Sequence, residues 1–363
     1  NLGIITSILC VLSYFKYLFF PLKDTSNFKN WITNRFGHKL YSIFFESYTE
    51  KLWGIPPEKL SSEFAKQRIK DFSLGEAIKQ LFIKKNRHKT LVDQFNYPIF
   101  GAGQMYDAWA DIINSKGSDI ILNTKVVKIN KRGNLIDNVE VLNNKGQKLI
   151  INADHYFSSI PMTKYFELLQ PKISKRLYSH VSSLYYREHI TVNLIIDKNS
   201  LFPDQWIYIH DPSVKMARIA NYNNFSEKMV SDSNTTAISV EYFVYQDDNL
   251  WKEKDSQLIV LASEELFRVG LISKPSIQKG WVVRETESYP TYYLGYETAY
   301  SELKSEINLV KNLSAIGRGG MYKYNNQDHS TYSGILAARN YLNPKGEQFN
   351  LWNINIDAEY HEG

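Results

Sequence analysis

The chain has 363 residues, of which 43% are hydrophobic, and its 43 basic and 38 acidic side chains give a net charge of +5. This composition excludes a disordered, collagenous or coiled-coil chain, and the length predicts about two domains. Cys10 is the only cysteine, which excludes a disulfide framework and a thiolate metal site. The scattered histidines and the mild charge predict neither a metal site nor a nucleic-acid partner.

An almost entirely apolar segment, LGIITSILCVLSYFKYLFF, fills residues 2–20. A membrane span needs about 20 such residues, but this segment contains Lys16, and no basic residues of a signal peptide precede it. Three interpretations stay open: a buried or cleft-lining helix, a helix that docks on a membrane, and a true span.

Helices are predicted next, to about residue 90. Apolar residues recur at helical spacing at Trp31, Ile32 and Phe36. Ser61-Ser62-Glu63 can cap a further helix, because the hydroxyls satisfy free N–H groups of a first turn. Another helix is predicted from Ser73.

Gly101-Ala102-Gly103 is similar to the start of a dinucleotide-binding G-x-G-x-x-G loop. The sixth position is Tyr106, however, and Pro98 lacks the N–H that a central strand needs. We therefore predict a tight turn before the helix QMYDAWADIINS. Strands are predicted over 120–129, 139–142 and 148–151, followed by a short strand that ends at Ile160.

Residues 162–184 are predicted helical, and alternating strands follow. The period of two places one apolar set on a single sheet face: Ile190, Val192, Leu194, Ile196, Ile238, Val240, Tyr242 and Val244. A helix is predicted near 256–270, a second over 300–310 and a short strand over 313–316.

The densest glycine-rich and polar segment is 315–330. Glycines permit close approach of the backbone to a ligand, and we predict a glycine loop over 317–320. The helix predicted to start between Asp328 and Ser330 would present free N–H groups that favour negative charge. Two interpretations stay open: a site for the electron-rich edge of a cofactor, and an ordinary capped helix.

Four segments carry a family resemblance: FESYTEKLWGIPPEKLSSEFAKQRI, YPIFGAGQMYDAWADII, WIYIHDPSVKMARIANYNNFS and GRGGMYKYNNQDHSTYSGILAARN. They resemble the FAD-dependent amine oxidase and protoporphyrinogen-oxidase-like superfamily, and most closely its bacterial branch found with surface-polysaccharide genes. The last segment also resembles a stretch of UDP-galactopyranose mutases, which it matches at Gly317, Arg318, Gly320, Tyr322, Tyr324 and Asp328.

The resemblance implies an α/β fold that combines a partial, Rossmann-like FAD-binding domain with a helical and mixed-sheet substrate domain. The N-terminal βαβ unit of that domain is missing from the sequence, and residue 1 is Asn, so we expect an N-terminally truncated flavoprotein. The implied segments are 1–95 (helical part of the substrate domain), 96–165 (FAD-binding), 166–295 (substrate domain), 296–352 (FAD-binding) and 353–363 (tail).

The resemblance also implies FAD-binding residues. They are Val126 near the adenine, Ser158, Ser159 and Ile160 beside the adenine and ribose, Gly317 and Arg318 near the pyrophosphate and flavin, and Gln327, Asp328 and His329 at the pyrimidine edge of the flavin. The residues expected to face a substrate cleft are Gly101, Gly103, Tyr289, Tyr293 and Tyr322.

Three functions stay open. The first is a redox enzyme in which a small-molecule substrate passes a hydride to flavin N5, in cell-surface polysaccharide metabolism. The second is a non-redox mutase acting on a nucleotide sugar, with a diphosphate clamp drawn from Arg68, Arg187, Arg218 and Arg284. The third is an inactive truncated remnant. The expected location is cytoplasmic, with membrane association if residues 2–20 dock.

Overall fold

The computed structural model describes residues 2–68, 95–273 and 277–354. Its helices are α1 (Ile4–Phe19), α2 (Phe28–Phe36), α3 (His38–Phe44), α4 (Glu46–Trp53), α5 (Ser62–Arg68), α6 (Gly103–Ser115), α7 (Met162–Leu168), α8 (Lys175–Ser183), α9 (Tyr222–Phe225), α10 (Asn249–Lys252), α11 (Asp255–Arg268), α12 (Tyr296–Asn308), α13 (Gly317–Met321) and α14 (Gln327–Leu342). Its strands are β1 (Thr124–Arg132), β2 (Leu135–Asn143), β3 (Lys148–Ile151), β4 (Tyr156–Ser158), β5 (Leu169–Gln170), β6 (Tyr186–Ile196), β7 (Trp206–Tyr208), β8 (Arg218–Asn221), β9 (Thr236–Val244), β10 (Ile277–Pro290) and β11 (Leu313–Ala315).

The described residues form two compact units, and each is assembled from two separate stretches of chain. The first unit takes in 2–119 and 187–286, and the second takes in 120–186 and 287–354. The mixed α/β class is confirmed. The assignment of 96–165 and 296–352 to FAD binding stays a prediction.

The N-terminal helices of the first unit follow the predicted pattern. The α5 helix begins at Ser62, where the Ser61 hydroxyl accepts a hydrogen bond from the Glu63 N–H at 3.3 Å. The turn before α6 is also confirmed, because the Gly101 N–H donates to the Pro98 carbonyl at 2.9 Å. The helix predicted from Ser73 lies outside the described residues.

Helix α1 lies on α2 and α3 through one side only. Its buried residues are Cys10 and Tyr14. Gly37, with φ of +82°, permits this contact, because a Cβ there would lie 2.6 Å from the Tyr14 nitrogen. Most of the helix surface is exposed, so the interpretation of residues 2–20 as a buried helix is wrong. None of the helices in the described ranges is long and apolar enough to cross a membrane.

A five-stranded sheet of order β10-β6-β9-β8-β7 forms the centre of the first unit. In the antiparallel β6–β9 pair, Val192 lies opposite Val240. The apolar set predicted from the period of two is buried on one face, where α11 covers it with Leu258, Ala262 and Leu266. The prediction is confirmed because alternation of side chains is a local property of a strand.

The second unit contains a four-stranded sheet of order β3-β2-β1-β5 and a separate two-stranded parallel sheet of β4 and β11. Two predictions here are wrong. Strand β1 begins at Thr124 rather than residue 120, because Asn123 takes a left-handed φ of 53° that interrupts an extended chain. The helix predicted over 162–184 is divided by β5 and Pro171, since proline removes a helix hydrogen bond.

Candidate functional site

The carboxyl ends of β4 and β11 bring two predicted segments together. The strands are parallel, with Ala315 opposite Ser158, and the Ile316 N–H donates to the Ser158 carbonyl at 3.0 Å. The segments that follow the two strands, 158–160 and 317–321, therefore meet at one edge. In α/β sheets, ligands bind beyond the carboxyl ends of parallel strands.

The predicted glycine loop is the short helix α13, so that prediction is wrong in conformation. The reason is close packing against β4. A Cβ at Gly320 would lie 2.4 Å from the Ser158 carbonyl oxygen, and one at Gly319 would lie 3.0 Å from the Ser159 carbonyl oxygen. These two glycines are required by the protein's own backbone rather than by a ligand.

Gly317 differs from its neighbours. Its φ is +71°. Apart from the two adjacent residues, a Cβ at this position would contact only the Ser159 Cβ, at 3.6 Å. Its N–H donates to the Ser333 hydroxyl at 2.8 Å, which ties the turn to α14. Gly317 thus provides both a conformation open to glycine and space beside the backbone.

A buried hydroxyl without a partner lies on β4, the strand that ends at this edge. Among the described residues, nothing forms a hydrogen bond with Ser158 Oγ. An unpaired buried hydroxyl costs free energy, so a ligand atom that bonds to it would stabilise the fold. Ser159, its neighbour, is exposed.

Arg318 places a positive charge at the same edge. Its Nε donates to the Asn325 carbonyl at 2.7 Å and its Nη1 to the Ser288 carbonyl at 3.0 Å. The guanidinium lies 4.5 Å from the ring centre of Tyr289 and 5.3 Å from that of Tyr324. No carboxylate of the described ranges forms an ion pair with it. Its charge therefore favours an anionic ligand group.

Helix α14 begins at the end of this segment, capped by Asn326 rather than by Asp328 or Ser330. The N–H groups of Gln327 and Asp328 have no acceptor within the helix, and both residues are exposed. His329 is 3% exposed, and its Nδ1 accepts from the Asn326 N–H at 3.3 Å, so it caps the helix. The Asp328 carboxylate accepts from the His329 N–H at 2.7 Å and offsets part of the positive end of the helix.

Of the remaining predicted cofactor residues, Val126 lies away from this edge, whereas Ile160 ends the segment 158–160. Val126 is half-buried on β1, next to an irregularity in the pairing with β2. Ile160 is half-buried directly after β4 and before α7. The second unit holds Val126 on a different sheet from Ser158, and its role beside the adenine stays a prediction.

The expected cleft residues divide between the units. Gly101 and Gly103 lie in the first unit, where Gly101 takes a φ of +92° before α6. The three tyrosines lie in the second. Tyr322 is 1% exposed, and its hydroxyl lies 2.9 Å from the Tyr185 carbonyl, so it packs inside that unit. Tyr293 stacks on Tyr185 with ring centres 5.1 Å apart.

A second group of polar residues, of which the sequence analysis named only Arg218, lies largely buried on the other face of the five-stranded sheet. Arg218 donates through Nε to the Glu241 carboxylate, and His189 Nε2 lies 3.6 Å from the same carboxylate. The Arg218 guanidinium lies 4.7 Å from the ring centre of Phe243, which His189 stacks on. The alternation that predicted the apolar face could also have predicted this group, because the residues between the apolar ones of a strand point to the other face of the sheet.

We expect this group to make the stability of the first unit sensitive to acid. Burial raises the pKa of Glu241, but the neighbouring His189 imidazole and the charge of Arg218 outweigh it, and the pKa falls below its ordinary 4.5. A lowered pKa gives stability that is complete above the ordinary value and is lost as pH falls through the folded value. Urea denaturation from pH 6 to about pH 3 should show a smaller loss in Glu241→Gln than in the unchanged protein. Equal losses would contradict this assignment.

Three of the arginines proposed for a diphosphate clamp bond to other groups of the protein. Arg187 donates to the carbonyls of Leu52 and Phe243, and Arg284 Nη1 donates to Asp255 at 2.6 Å. Arg218 is paired with Glu241 as described. The side chain of Arg68 lies outside the described structure.

The fold has counterparts among solved structures. A reduced UDP-galactopyranose mutase has a TM-score of 0.78 at 18% identity, over 97% of this chain and 76% of that chain. A protein of Exiguobacterium sp. 255-15, provisionally named a protoporphyrinogen oxidase, has a TM-score of 0.61 at 15% identity, over 85% of this chain and 66% of that chain. A redesigned triple mutant of putrescine oxidase has a TM-score of 0.52 at 13% identity, over 92% and 75%. No curated protein matches the sequence.

At identities below 25%, these structures show that the fold is shared. The sequence profile of the flavin containing amine oxidoreductases matches residues 20–322. The chain therefore belongs to the family of flavin-containing amine oxidoreductases, whose cofactor is FAD.

The edge formed by β4 and β11 fits a flavin cofactor on its own geometry. The unpartnered Ser158 hydroxyl, the space beside Gly317 and the charge of Arg318 suit a polar ligand with anionic character. The sequence contains no complete G-x-G-x-x-G loop, so this edge accounts for only part of a dinucleotide site.

Proposed function

We propose that this chain oxidises a small-molecule substrate with FAD held at the carboxyl ends of β4 and β11. The observation that carries the proposal is the meeting of 158–160 with 317–321 at that edge. Bound FAD supplies a hydride acceptor, its N5 atom, for a C–H bond of the substrate. A role in cell-surface polysaccharide metabolism rests on the family resemblance alone.

The chain's own residues bind and orient the cofactor in this proposal. Gly317 permits close approach of the backbone, and the Ser158 hydroxyl gains a hydrogen-bond partner. Arg318 is held between two tyrosine rings and two carbonyls, so its charge stays fixed at the edge. A fixed positive charge stabilises the electron-rich, reduced form of the cofactor more than the oxidised form.

The experiment that tests the proposal replaces this charge. We expect Arg318→Met to weaken FAD binding about ten- to a hundredfold, since hydrogen bonds to charged groups contribute about 1.5–3 kcal/mol. The reduction potential of the flavin should become more negative, because the reduced form loses a neighbouring cation. Flavin absorbance titration and redox titration of the complete protein measure the two effects.

Two variants control this experiment. Arg318→Lys keeps a cation and should restore most of the potential. Arg132→Met removes an exposed arginine of the same unit, which is paired with Asp137, and should change neither quantity. A folded Arg318→Met protein with an unchanged flavin potential would refute the proposed site, and a complete protein that binds no FAD would refute the proposed function.

A second candidate is a non-redox mutase that acts on a nucleotide sugar. The match of Gly317, Arg318 and Asp328 to the mutase stretch favours it, together with the fold similarity to a UDP-galactopyranose mutase. The pairing of Arg218 and Arg284 with carboxylates weighs against it, because a diphosphate would have to displace them.

The two candidates respond differently to reduction. A substrate that bleaches the flavin without an added reductant supports the oxidoreductase. Turnover of a nucleotide sugar only after reduction by dithionite supports the mutase.

A further inference from the structure

A continuous apolar stripe runs along the exposed side of α1. Its members recur every three or four residues and lie opposite the buried Cys10 and Tyr14: Ile4, Ile8, Leu12, Phe15 and Phe19. The side chain of Ile4 is 81% exposed and that of Phe19 is 71% exposed. Phe20 and Leu22 extend the stripe beyond the helix end.

This stripe is not a core surface of the first unit. The opposite side of α1 already packs on α2 and α3, where the Ser13 hydroxyl accepts from the Lys39 N–H at 3.0 Å. Single exposed apolar residues are normal on a protein surface, but contiguous apolar patches mark interaction sites. We therefore expect a partner surface to cover the stripe.

The charges around α1 indicate the chemistry of that occupant. Residues 2–45 contain five lysines and arginines and a single acidic residue, Asp24, so this segment carries most of the net charge of the chain. Lys16 lies on α1 and Lys23 follows it, and both are exposed. The Asp24 carboxylate accepts hydrogen bonds from the N–H and hydroxyl of Ser26.

We propose that α1 docks on the surface of an anionic lipid bilayer. The stripe enters the boundary between headgroups and acyl chains, and Lys16 and Lys23 lie at the level of the lipid phosphates. A second copy of the chain is a poorer occupant, because its own α1 would bring the same positive charges to the contact.

Vesicle co-sedimentation of the complete protein tests this proposal. We expect binding to phosphatidylcholine vesicles that contain about one third phosphatidylglycerol. Binding to pure phosphatidylcholine vesicles should be weaker by about tenfold or more. The double variant Leu12→Gln/Phe15→Gln should lose most of the binding to the anionic vesicles. Its matched control is Val260→Gln/Phe267→Gln, which changes two exposed apolar residues of α11 in the same unit and should bind normally.

A third variant separates charge from apolar area. Lys16→Gln/Lys23→Gln should weaken binding to anionic vesicles about tenfold, and added salt should have a similar effect. Circular dichroism shows whether each variant is folded. Unchanged vesicle binding by the folded Leu12→Gln/Phe15→Gln protein would overturn the proposal. So would a lipid-free dimer that this variant dissociates, which would assign the stripe to a second copy.

Discussion

Gly320→Ala is expected to destabilise the second unit by about 3 kcal/mol or more, and to abolish FAD binding. The new Cβ would lie 2.4 Å from the Ser158 carbonyl oxygen, a backbone atom that also accepts the hydrogen bond from the Ile316 N–H. Relief of this clash requires β4 and α13 to separate, and their separation opens the proposed cofactor edge. Urea denaturation followed by far-ultraviolet circular dichroism measures the loss.

Gly334→Ala is the matched control. Gly334 lies inside α14, where a Cβ would find only the Ile316 Cδ1, at 3.9 Å. Alanine is a better helix former than glycine, so this variant should gain about 0.5–1 kcal/mol. Similar stabilities for the two variants would show that the contact between Gly320 and Ser158 does not exist in solution.

Arg187→Met is expected to destabilise the first unit by about 3–5 kcal/mol. The guanidinium is 3% exposed and donates to the carbonyls of Leu52 and Phe243 at 3.1 and 2.5 Å. It also lies 4.1 Å from the ring centre of Tyr245. Methionine fills much of the volume but removes both of these hydrogen bonds. Intrinsic tryptophan fluorescence, to which the buried Trp53 beside Leu52 contributes, reports the unfolding.

This prediction separates a structural role from the diphosphate-binding role considered for Arg187. Arg176→Met, which removes an arginine with a largely exposed side chain, should have an effect within about 0.5 kcal/mol. If Arg187→Met keeps its stability but loses affinity for a nucleotide sugar, Arg187 is a ligand-binding residue and the assignment made here is wrong.

Local patterns predicted the parts of the fold that local physics determines. The apolar alternation in β6 and β9 follows from side-chain periodicity. The turn at Gly101 follows from the N–H that Pro98 lacks, and the cap at Ser61 from the N–H groups that a first helical turn leaves unbonded. The exposure of α1 did not follow, because a helix that is apolar on every side has no face that its sequence marks as buried.

The candidate site depended on contacts between distant parts of the chain. The glycine segment was recognised as unusual, but its short helix arises from the packing of Gly320 on Ser158, which no local pattern contains. The tyrosine rings around Arg318 likewise come from Tyr289 and Tyr324, on separate elements. The family resemblance located 158–160 and 317–318, and their roles toward FAD stay predictions.

The parallel pairing of β4 with β11 also has a consequence for biosynthesis. Ser158 pairs opposite Ala315, so a ribosome must add all the intervening residues before β4 can find its neighbour. At about 5–20 residues per second, this takes on the order of 10–30 s. During that interval β4 is an unpaired edge, open to other nascent chains. Chaperone demand during translation should therefore fall sharply once β11 has left the ribosome.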